Sequence, residues 1–309
     1  MFYRFNTLKH GEFDKRGDNM ENRLKIAIQK SGRLTEKSVE LLADCGFHFQ
    51  ISSRKLISPS SNAPIDLFYL RNSDIPRFIS MNKCDLGIIG ENILEEYYDV
   101  KEFEKILRLP FGDCRISLAF PENKIPQSIQ DINGKVIATS YPKILKRELT
   151  RLGIEVQIIT LSGSIEIAPT MEICDGIFDI VSTGSTLKAH GLIEYKSLFQ
   201  SEVILFKKKG DWDETKLKTV NTLKVRVQSI LKAKNSRYLM MNAPASKIDE
   251  IVKLIPGMES PSIIQLSTDA TKVAIHGVIE TNDMWNTIEK LKENGASSIL
   301  VTPIEKVLE

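Results

Sequence analysis

Apolar residues recur along the chain in short continuous runs, separated by stretches with three- and four-residue spacing. This pattern predicts strands that alternate with amphipathic helices. The runs at residues 24–28, 65–69 and 85–89 predict buried strands. A helix is predicted over residues 34–45, where Gly46 stands at a position that often ends a helix. Such alternation favours an α/β fold with a largely parallel sheet and helices on its faces.

The same rhythm continues in a second block of the chain. Strands are predicted at residues 115–120, 135–138, 156–159 and 178–181. A helix is predicted over residues 142–152, with Ser140 as its cap. The strand predicted at residues 203–206 returns to the first sheet. We therefore expect two α/β lobes, the second inserted into the first, and a cleft between lobes commonly holds a ligand.

The last part of the chain has a different order of elements. Predicted strands and helices follow one another at residues 238–241, 246–254, 263–266, 273–279, 283–293 and 298–301. Their order is β-α-β-β-α-β, which is the ferredoxin-like arrangement. This order specifies a fold and says nothing about function.

These patterns divide the chain into four parts. Residues 1–22 lack the apolar core of a signal peptide and are expected to form a mobile N-terminal extension. Lobe I is assigned to residues 23–110 and 198–224, lobe II to residues 111–197, and a C-terminal module to residues 225–309. The run Lys207-Lys208-Lys209 before Gly210 is expected to be a solvated linker.

The composition of the 309 residues narrows the class of protein. A net charge of +2 gives no reason to expect a nucleic-acid binder, and no apolar run approaches the ~20 residues that a membrane helix requires. The four cysteines form no CxxC pair, and the four histidines have no metal-binding spacing. We therefore expect reduced, mostly buried thiols in a cytoplasmic protein, and no dedicated zinc site.

The strongest chemical signal is a predicted strand that carries Asp179 and runs into a loop of small polar residues. The loop consists of Ser182, Thr183, Gly184, Ser185, Thr186 and Leu187. Such a turn directs several backbone N–H groups and hydroxyls at one point, which suits a phosphate group. Asp179 is then placed to hold ribose hydroxyls, or a Mg²⁺ that bridges them to a pyrophosphate. An ordinary capped turn has the same composition, so the loop alone leaves both interpretations open.

A second signal is the group Lys30, Gly32 and Arg33, directly after the first predicted strand. Ligands gather at the carboxyl ends of strands in open parallel sheets. An arginine there suits bidentate contact with a phosphate. The alternative is a surface loop that is simply basic.

Three carboxylates are further candidates. Asp85 and Glu91 flank the strand predicted at residues 85–89. They are either cleft carboxylates or ordinary residues at the start of a helix. Glu166 lies in an apolar stretch, where a buried charge needs a partner. It is therefore either a ligand contact or one half of a structural pair.

Taken together, six segments resemble the long form of ATP phosphoribosyltransferase, the first enzyme of histidine biosynthesis. They are IAIQKSGRL at residues 26–34, DLGIIGEN at 85–92, IATSYP at 137–142, GSIEIAP at 163–169, DIVSTGSTL at 179–187 and GASSILVTPIEK at 295–306. The resemblance extends from about residue 24 to residue 309. Thr170, Glu172 and Cys174 stand where the family often has arginine, glycine and alanine, in a segment that we expect to be helical.

The resemblance implies a two-lobed catalytic part like the periplasmic binding proteins, followed by a ferredoxin-like (ACT-like) regulatory domain. It also implies that adenine N1 of ATP attacks C1 of 5-phosphoribosyl 1-diphosphate (PRPP). Pyrophosphate leaves, and N1-(5-phospho-β-D-ribosyl)-ATP forms. Charge builds on the pyrophosphate, so the protein must mainly align two polyanions, with Mg²⁺ as the implied cofactor.

Matching positions in the family motifs imply roles for individual residues. Catalytic roles fall on Asp179, Arg33 and Lys30. PRPP contacts fall on Asp179, Glu166, Ser182, Thr183, Gly184, Ser185, Thr186 and Leu187. ATP contacts fall on Lys30, Gly32, Arg33, Arg54 and Asp85. The family match also implies that Asp179 interacts with Mg²⁺ indirectly, mainly through PRPP.

The C-terminal module resembles the domain through which histidine inhibits the long-form enzymes. The resemblance implies a homo-oligomer, from dimer to hexamer, with no separate regulatory subunit and no nucleic-acid or membrane partner. Histidine contacts are expected at Met258, Ser260 and Ser262, in a loop whose alternative role is a plain connection.

Two other functions compete with this interpretation. One is a non-catalytic, two-lobed small-molecule-binding protein, and the other is a phosphoribosyltransferase that acts on a different base. The expected lack of a secretion signal counts against a periplasmic receptor, and the lack of a basic stripe counts against a DNA-binding regulator. Pyrophosphate release on mixing ATP, PRPP and Mg²⁺ separates catalysis from binding.

Overall fold

The structure of the protein is a computed structural model, and it describes residues 22–50, 55–255, 260–267 and 269–308. Strands and helices alternate in the first part of the chain, as predicted. These elements are β1 (Leu24–Gln29), α1 (Arg33–Asp44), β2 (Ile57–Pro59), β3 (Ile65–Leu70), α2 (Ile75–Ser80), β4 (Leu86–Gly90), α3 (Glu91–Tyr97) and β5 (Phe103–Arg108).

The chain then builds a second group of elements and returns to the first. The second group is β6 (Cys114–Pro121), β7 (Val136–Thr139), α4 (Pro142–Arg151), β8 (Gln157–Thr160), β9 (Gly176–Val181), α5 (Ser185–Ala189) and β10 (Leu192–Ser201). The return is made by β11 (Val203–Lys208) and α6 (Glu214–Lys234). Helix α4 lies where it was predicted, but its cap residue is Tyr141 and not Ser140, and Tyr141 makes no side-chain capping bond.

The first sheet has six strands in the order β2-β3-β1-β4-β11-β5. The predicted return of the chain to this sheet is confirmed, since β11 pairs with β4. Strand β1 runs parallel to β3 and β4, but the other three pairings are antiparallel, so the expectation of a largely parallel sheet is wrong. The chain returns to the first sheet beside the carboxyl end of β4. Strand β11 therefore runs antiparallel to β4.

Alternate residues of β1 supply two cores on opposite faces of this sheet. Leu24, Ile26 and Ile28 are completely buried in a cluster that includes apolar residues of α1 and α6. Ala27 faces the other cluster, with residues of α2 and α3. Each such aliphatic side chain contributes roughly 1.5–3 kcal/mol when buried. The first sheet is therefore covered on both faces. Because β1 and β4 run parallel, their carboxyl ends lie at the same edge of the sheet.

The second sheet has five strands in the order β10-β6-β9-β7-β8. Strand β7 runs parallel to β8 and β9, whereas β6 runs antiparallel to β9 and β10. Helix α4 packs on one face through Ile144, Leu145 and Leu149. Leu187 of α5 packs on the other face and anchors the loop after β9. Strand β9 is thus a central strand, and the loop that follows it stands at the edge of the sheet.

The C-terminal module consists of β12 (Ser236–Pro244), α7 (Ile248–Leu254), β13 (Ser262–Gln265), β14 (Lys272–Glu280), α8 (Met284–Glu293) and β15 (Ser297–Pro303). Its sheet has the order β13-β14-β12-β15, and every pairing is antiparallel. The predicted β-α-β-β-α-β order is confirmed. Buried residues of β12, β14 and the two helices form a separate core.

Two of the expected domain boundaries cut through regular elements and are corrected. The boundary between residues 197 and 198 falls inside β10, which belongs entirely to the second sheet. The boundary between residues 224 and 225 falls inside α6. Val220, Leu223, Val227 and Ile230 of this helix all belong to the core of the first sheet. Helix α6 is therefore part of lobe I up to its end at Lys234.

The run of lysines after β11 is only partly the solvated linker that was expected. Lys207 lies within β11, is buried, and forms a cation–π contact with Trp212 at 4.9 Å. Its ammonium also donates to the carbonyl of Gly210 and lies 3.5 Å from Glu104. The long lysine stem can pack in apolar surroundings while the charge finds partners, and the charge pattern alone does not reveal this.

Two expectations drawn from composition concern the thiols and the membrane. All four cysteines are free, and Cys45, Cys84 and Cys174 are buried, which confirms that at least three are buried apolar residues. Burial raises the pKa of Cys45 and of Cys84 to about 12, so both thiols stay protonated.

In the described ranges, no helix combines the length and hydropathy that a membrane span requires.

Candidate active site

A cavity of ≈ 310 Å³ lies between the loop after β9 and the start of α1. Its wall contains most of the residues that the sequence singles out. They are Arg33, Glu166, Asp179 and all six residues of the loop at 182–187. The two strongest sequence signals, which lie about 150 residues apart along the chain, thus meet in one cavity.

The loop at residues 182–187, called the phosphate loop below, lines this cavity with all six of its residues. In the described part of the chain, none of its backbone N–H groups donates a hydrogen bond to another protein atom. Gly184 has a φ of 77°, a conformation that glycine adopts without strain. Unpaired N–H groups that converge on a cavity form an anion site.

Two side-chain contacts hold the phosphate loop in this shape. The guanidinium of Arg115 donates to the carbonyl oxygen of Ser182 at 3.2 Å, and Glu194 in turn holds that guanidinium. The hydroxyls of Thr183 and Ser185 lie 3.1 Å apart. Arg115 and Glu194 are not among the site residues predicted from the sequence. They lie on β6 and on β10, and the latter strand was not predicted.

Asp179 occupies an electrostatically unfavourable position beside the loop. Burial, and to a lesser degree the nearby Glu166 carboxylate, raise the pKa of Asp179 from its ordinary value of 3.8 to about 6. One oxygen of the Asp179 carboxylate accepts a hydrogen bond from the N–H of Ile180 at 2.8 Å, and this bond lowers the pKa. The carboxylate therefore gains when a ligand brings hydroxyl donors into the cavity.

Arg33 is the first residue of α1, and its side chain reaches the wall of the cavity from the first lobe. Lys30 and Gly32 belong to the same turn but do not line the cavity. Both are exposed, and the turn is fixed by the Lys30 N–H donating to the Leu70 carbonyl at 2.8 Å. The structure thus brings Arg33 to the phosphate loop and leaves Lys30 and Gly32 at the rim.

The other candidate carboxylates are placed differently. Asp85 precedes β4, at the opposite end of the sheet from Arg33, and the expectation that it faces the cleft is wrong. Its carboxylate is held by the Lys216 ammonium at 2.8 Å and by the N–H of Lys25. Glu91 starts α3 and forms an ion pair with Lys105 at 3.0 Å. Glu166 lines the cavity but is only half-buried.

Four further candidates concern ligands other than PRPP. Arg54 and Met258 lie outside the described residues. Ser260 and Ser262 are described, and both lie in or next to β13 of the C-terminal module, with Ser262 exposed. No contact of these two serines speaks for or against a histidine site.

A buried contact between α3 and α4 joins the two lobes beside the cavity. The Glu96 carboxylate is 2% exposed and accepts the backbone N–H groups of Lys143 and Ile144, both at 3.0 Å. Nearby, the Asn92 amide donates to the Tyr141 hydroxyl at 3.2 Å. Burial, and next the Asp179 carboxylate, raise the pKa of Tyr141, which places this contact close to the cavity.

Comparison with known proteins shows which family the chain belongs to. A family profile described as ATP phosphoribosyltransferase matches residues 71–230, and one described as HisG, C-terminal domain, matches residues 233–306. The chain belongs to the ATP phosphoribosyltransferase family. The resemblance seen in the sequence is confirmed, and the protein is a pentosyltransferase of histidine biosynthesis that acts on ATP and PRPP.

Solved structures with a similar fold include members of two groups. The ATP phosphoribosyl transferase (HisG:HisZ) complex from Thermotoga maritima has 28% sequence identity and a TM-score of 0.55, covering 66% of this chain and 98% of that chain. A substrate-binding domain of a putative amino acid ABC transporter from Streptococcus pneumoniae has 14% identity and a TM-score of 0.42, covering 67% and 92%. The probable amino-acid ABC transporter extracellular-binding protein ytmK from Bacillus subtilis has 12% identity and a TM-score of 0.44, covering 68% and 92%.

The segment in which this ATP phosphoribosyltransferase departs from the expected family pattern is not the helix that was predicted. A short 3₁₀ helix covers Ile165–Ile167, and turns follow up to Cys174. Glu172 has a φ of 57°, so a residue with a Cβ occupies a left-handed position where glycine would fit without strain. Thr170 and Glu172 are exposed and Cys174 is buried.

The cavity of this ATP phosphoribosyltransferase suits a magnesium ion that arrives with its substrate. Among the described residues, no group of three or more His, Cys, Asp or Glu side chains could hold a metal ion. Asp179 and Glu166 are two carboxylates in one cavity. Mg²⁺ commonly binds through one or two carboxylates together with substrate phosphates, so this donor set fits it.

The contact between the lobes leads to a prediction for stability. We expect Glu96→Gln to lower the free energy of unfolding by about 1–3 kcal/mol, because one N–H group at the start of α4 then faces an amide that cannot accept from it. Glu95→Gln is the matched control, since Glu95 forms a half-exposed ion pair with Arg147 that contributes at most about 1 kcal/mol. Urea unfolding measures both, and equal losses in the two variants would contradict the role given to Glu96.

Proposed function

We propose that ATP and PRPP react in the cavity between the phosphate loop and Arg33. One observation carries this proposal: free backbone N–H groups of the loop, the Asp179 carboxylate and the Arg33 guanidinium share the wall of a single cavity. This is the set of groups that a phosphorylated sugar with a pyrophosphate at C1 requires. It combines an anion site, an acceptor for ribose hydroxyls and a cation.

Each residue contributes by binding and orientation. The N–H groups and hydroxyls of the phosphate loop bind the 5-phosphate of PRPP, which fixes the distance from the loop to C1. Asp179 accepts hydrogen bonds from the ribose hydroxyls, and its negative charge favours the positive charge that develops on the ribose ring. Glu166 stands beside Asp179 as a second acceptor.

Arg33 approaches from the first lobe and is assigned to the polyphosphate groups. Its guanidinium stabilises the charge that builds on the departing pyrophosphate. Lys30 and Gly32 at the rim, together with Arg54, are proposed as ATP contacts. Adenine N1 is already a nucleophile, so no covalent intermediate with the protein is required. Asp179 would be the protein group that holds Mg²⁺, and the ion, when bound, would neutralise the charge of the pyrophosphate.

Release of pyrophosphate tests this proposal directly. The full chain mixed with ATP, PRPP and Mg²⁺ is expected to release one pyrophosphate for each phosphoribosyl-ATP formed. Other nucleotides and free bases, added in competition, test whether adenine of ATP is the base. Binding of PRPP without any turnover would indicate a binding protein, and turnover with a different base would indicate another phosphoribosyltransferase.

Regulation and assembly form the second part of the proposal. We assign the module from residue 236 onward to feedback inhibition by histidine, with Ser260, Ser262 and Met258 as candidate contacts. In support, residues 233–306 match the C-terminal domain profile, and the HisG:HisZ structure leaves about a third of this chain unmatched. A chain that carries its own regulatory module needs no separate regulatory subunit. The reaction and the reduced thiols fit a cytoplasmic enzyme.

Truncation tests the regulatory assignment. A chain that ends at Asn235 keeps α6 in the core of the first lobe and removes the whole module. We expect it to retain turnover and to lose inhibition by histidine. A chain that ends at Lys209 is the contrast, because it removes the four buried apolar residues that α6 adds to this core, and it should not fold. Unchanged histidine inhibition in the chain that ends at Asn235 would overturn the assignment.

The module also suggests where a homo-oligomer would form. Helices α7 and α8 cover one face of its sheet, and the other face leaves Met240, Ile264 and Leu300 exposed by 43%, 54% and 59%. An apolar sheet face of this kind is a common site of association. We expect Met240→Glu to shift the protein toward smaller species in sedimentation experiments, and Lys292→Glu on α8 to leave the mass unchanged. The same mass for both variants would contradict this face as the interface.

A further inference from the structure

A second cavity, ≈ 590 Å³ in volume, shares no lining residue with the cavity of the phosphate loop. Three separate parts of the chain meet around it. They are the end of α1 at residues 44–46, one side of α6, and the C-terminal segment with Lys306 and Leu308. Its size falls within the range of small-molecule sites, and it is larger than the cavity beside Asp179. None of its residues takes part in the proposed reaction.

A buried hydroxyl without a partner stands in the wall of this cavity. Ser229 of α6 is only 5% exposed, and its hydroxyl oxygen is buried without a hydrogen bond to another atom of the described chain. Its backbone carbonyl accepts the N–H of Val307 at 3.3 Å, which ties the C-terminal segment to the helix. A polar group left without a partner destabilises the protein, so the hydroxyl gains if a ligand supplies an acceptor.

The charges around the cavity favour an anion. Among the described residues that line it, Arg226 and Lys306 are positively charged and Asp44 is the one carboxylate. Arg226 stacks on Phe47 and uses one nitrogen to donate to the Cys45 carbonyl at 2.9 Å. A guanidinium carries five N–H donors, so most of them stay available to a ligand.

The electrostatic field of these cations acts on the neighbouring Cys45 thiol. Arg226, Lys306 and Lys234 all act to lower the pKa of Cys45, although burial, followed by Asp44, raises it to about 12. Three positive groups thus surround a point next to the cavity, with one negative group. The thiol itself stays protonated and is not a nucleophile here. The excess of positive charge can therefore bind an anion, whereas the protonated thiol takes no part in a reaction.

We propose that this cavity is a binding site for a small organic anion with an apolar body. The acidic group of the ligand accepts hydrogen bonds from the Ser229 hydroxyl and from the cations Arg226 and Lys306. The apolar body packs against Val225, Ile230 and Leu308. Because α6 runs from the first lobe directly into β12 of the C-terminal module, a ligand held here contacts the element that joins them.

The probe for this site is 8-anilinonaphthalene-1-sulfonate, an aromatic sulfonate whose fluorescence rises in apolar surroundings. Titration of the full chain is expected to show saturable binding of one probe per chain. Lys306→Glu and Ser229→Ala should each weaken binding by about tenfold, the loss expected when one charge-assisted hydrogen bond is removed. Val225→Trp should block it, because Val225 is 52% exposed at the cavity and tolerates a larger side chain.

Two controls separate this site from others. Lys292→Glu makes the same charge change on α8, away from the cavity, and should bind the probe as the unmodified chain does. Arg33→Ala tests whether the probe enters the catalytic cavity instead, and it should also leave binding unchanged. Thermal unfolding of Ser229→Ala without the probe should show equal or higher stability, because the variant removes an unpartnered hydroxyl.

The outcomes that overturn the proposal are equally specific. Probe binding that does not saturate, or that is the same in Val225→Trp and the unmodified chain, removes the cavity as the site. Loss of binding in Arg33→Ala assigns the probe to the catalytic cavity. Equal weakening in Lys306→Glu and Lys292→Glu shows a general charge effect and no specific site.

Discussion

Replacing Asp179 with asparagine is expected to lower kcat/KM for PRPP by about 10²- to 10³-fold, the range found when one preorganised electrostatic group is removed. Asparagine keeps the size of the side chain but loses the negative charge that favours the developing charge on the ribose ring. Its amide also offers one acceptor atom where the carboxylate offers two. The loss should appear mainly in kcat, because the phosphate loop still binds the 5-phosphate.

The same substitution is expected to stabilise the protein without its substrates. The pKa of Asp179 is raised from 3.8 to about 6, so the folded state holds this proton more tightly than the unfolded state does. The carboxylate therefore destabilises the fold fully above pH 6, and this effect disappears as the pH falls toward 3.8. Asp179→Asn should raise the free energy of unfolding by about 1–3 kcal/mol at pH 8 and by almost nothing near pH 4.

Urea unfolding at the two pH values, together with steady-state kinetics, measures both effects. Glu166→Gln is the companion variant, because Glu166 contributes to the raised pKa of Asp179. In the unmodified chain kcat/KM should fall below about pH 6, as Asp179 gains its proton. In Glu166→Gln this fall should move to lower pH. Near-normal turnover in Asp179→Asn would contradict the role given to this carboxylate.

Replacing Arg33 with alanine is expected to have the second-largest effect, a loss of about 10²-fold in kcat/KM. Arg33 is the cation from the first lobe that lines the cavity of the phosphate loop. Its removal leaves the charge of the departing pyrophosphate without that partner. Arg33 is exposed at the start of α1, so the fold should survive.

Lys37→Ala provides the matched control for Arg33. Lys37 lies one turn further along α1, is 57% exposed, and pairs with Glu40 at 3.2 Å. The substitution removes the same charge from the same helix without touching the cavity. Turnover of Lys37→Ala should stay within about twofold of the unmodified chain, since such surface pairs contribute little. Equal kinetic losses for Arg33→Ala and Lys37→Ala would show that only the general charge of the helix matters.

Most of the fold follows from apolar periodicity, but the strand directions do not. Strands β1, β3 and β4 are mainly apolar segments, interrupted by no more than one charged residue each, and each lies where it was predicted. Strand β10 was missed because its pairing with β6 shifts register after Glu194 and again after Ser197, which disrupts the two-residue alternation. Local patterns also carry no information about which way a returning strand enters a sheet.

The candidate site shows the same division between local and long-range information. The phosphate loop and Arg33 are contiguous motifs at the ends of strands, and the rules for ligand position in α/β sheets apply to them. Asp85 was misjudged because its partner Lys216 is 131 residues away in the sequence. The partners of Glu96 and Arg115 are 48 and 67 residues away, so nothing in their sequence neighbourhood distinguishes them from surface charges.

A crystal structure of the full chain with PRPP bound tests the central claim most directly. We expect the oxygens of the 5-phosphate to lie within about 3.2 Å of the backbone nitrogens of residues 183–186, at ordinary hydrogen-bond distance. The ribose hydroxyls should then contact Asp179, with the Arg33 guanidinium on the side of the pyrophosphate. A 5-phosphate bound elsewhere, with the phosphate loop empty, would contradict the account of how this enzyme holds its substrate.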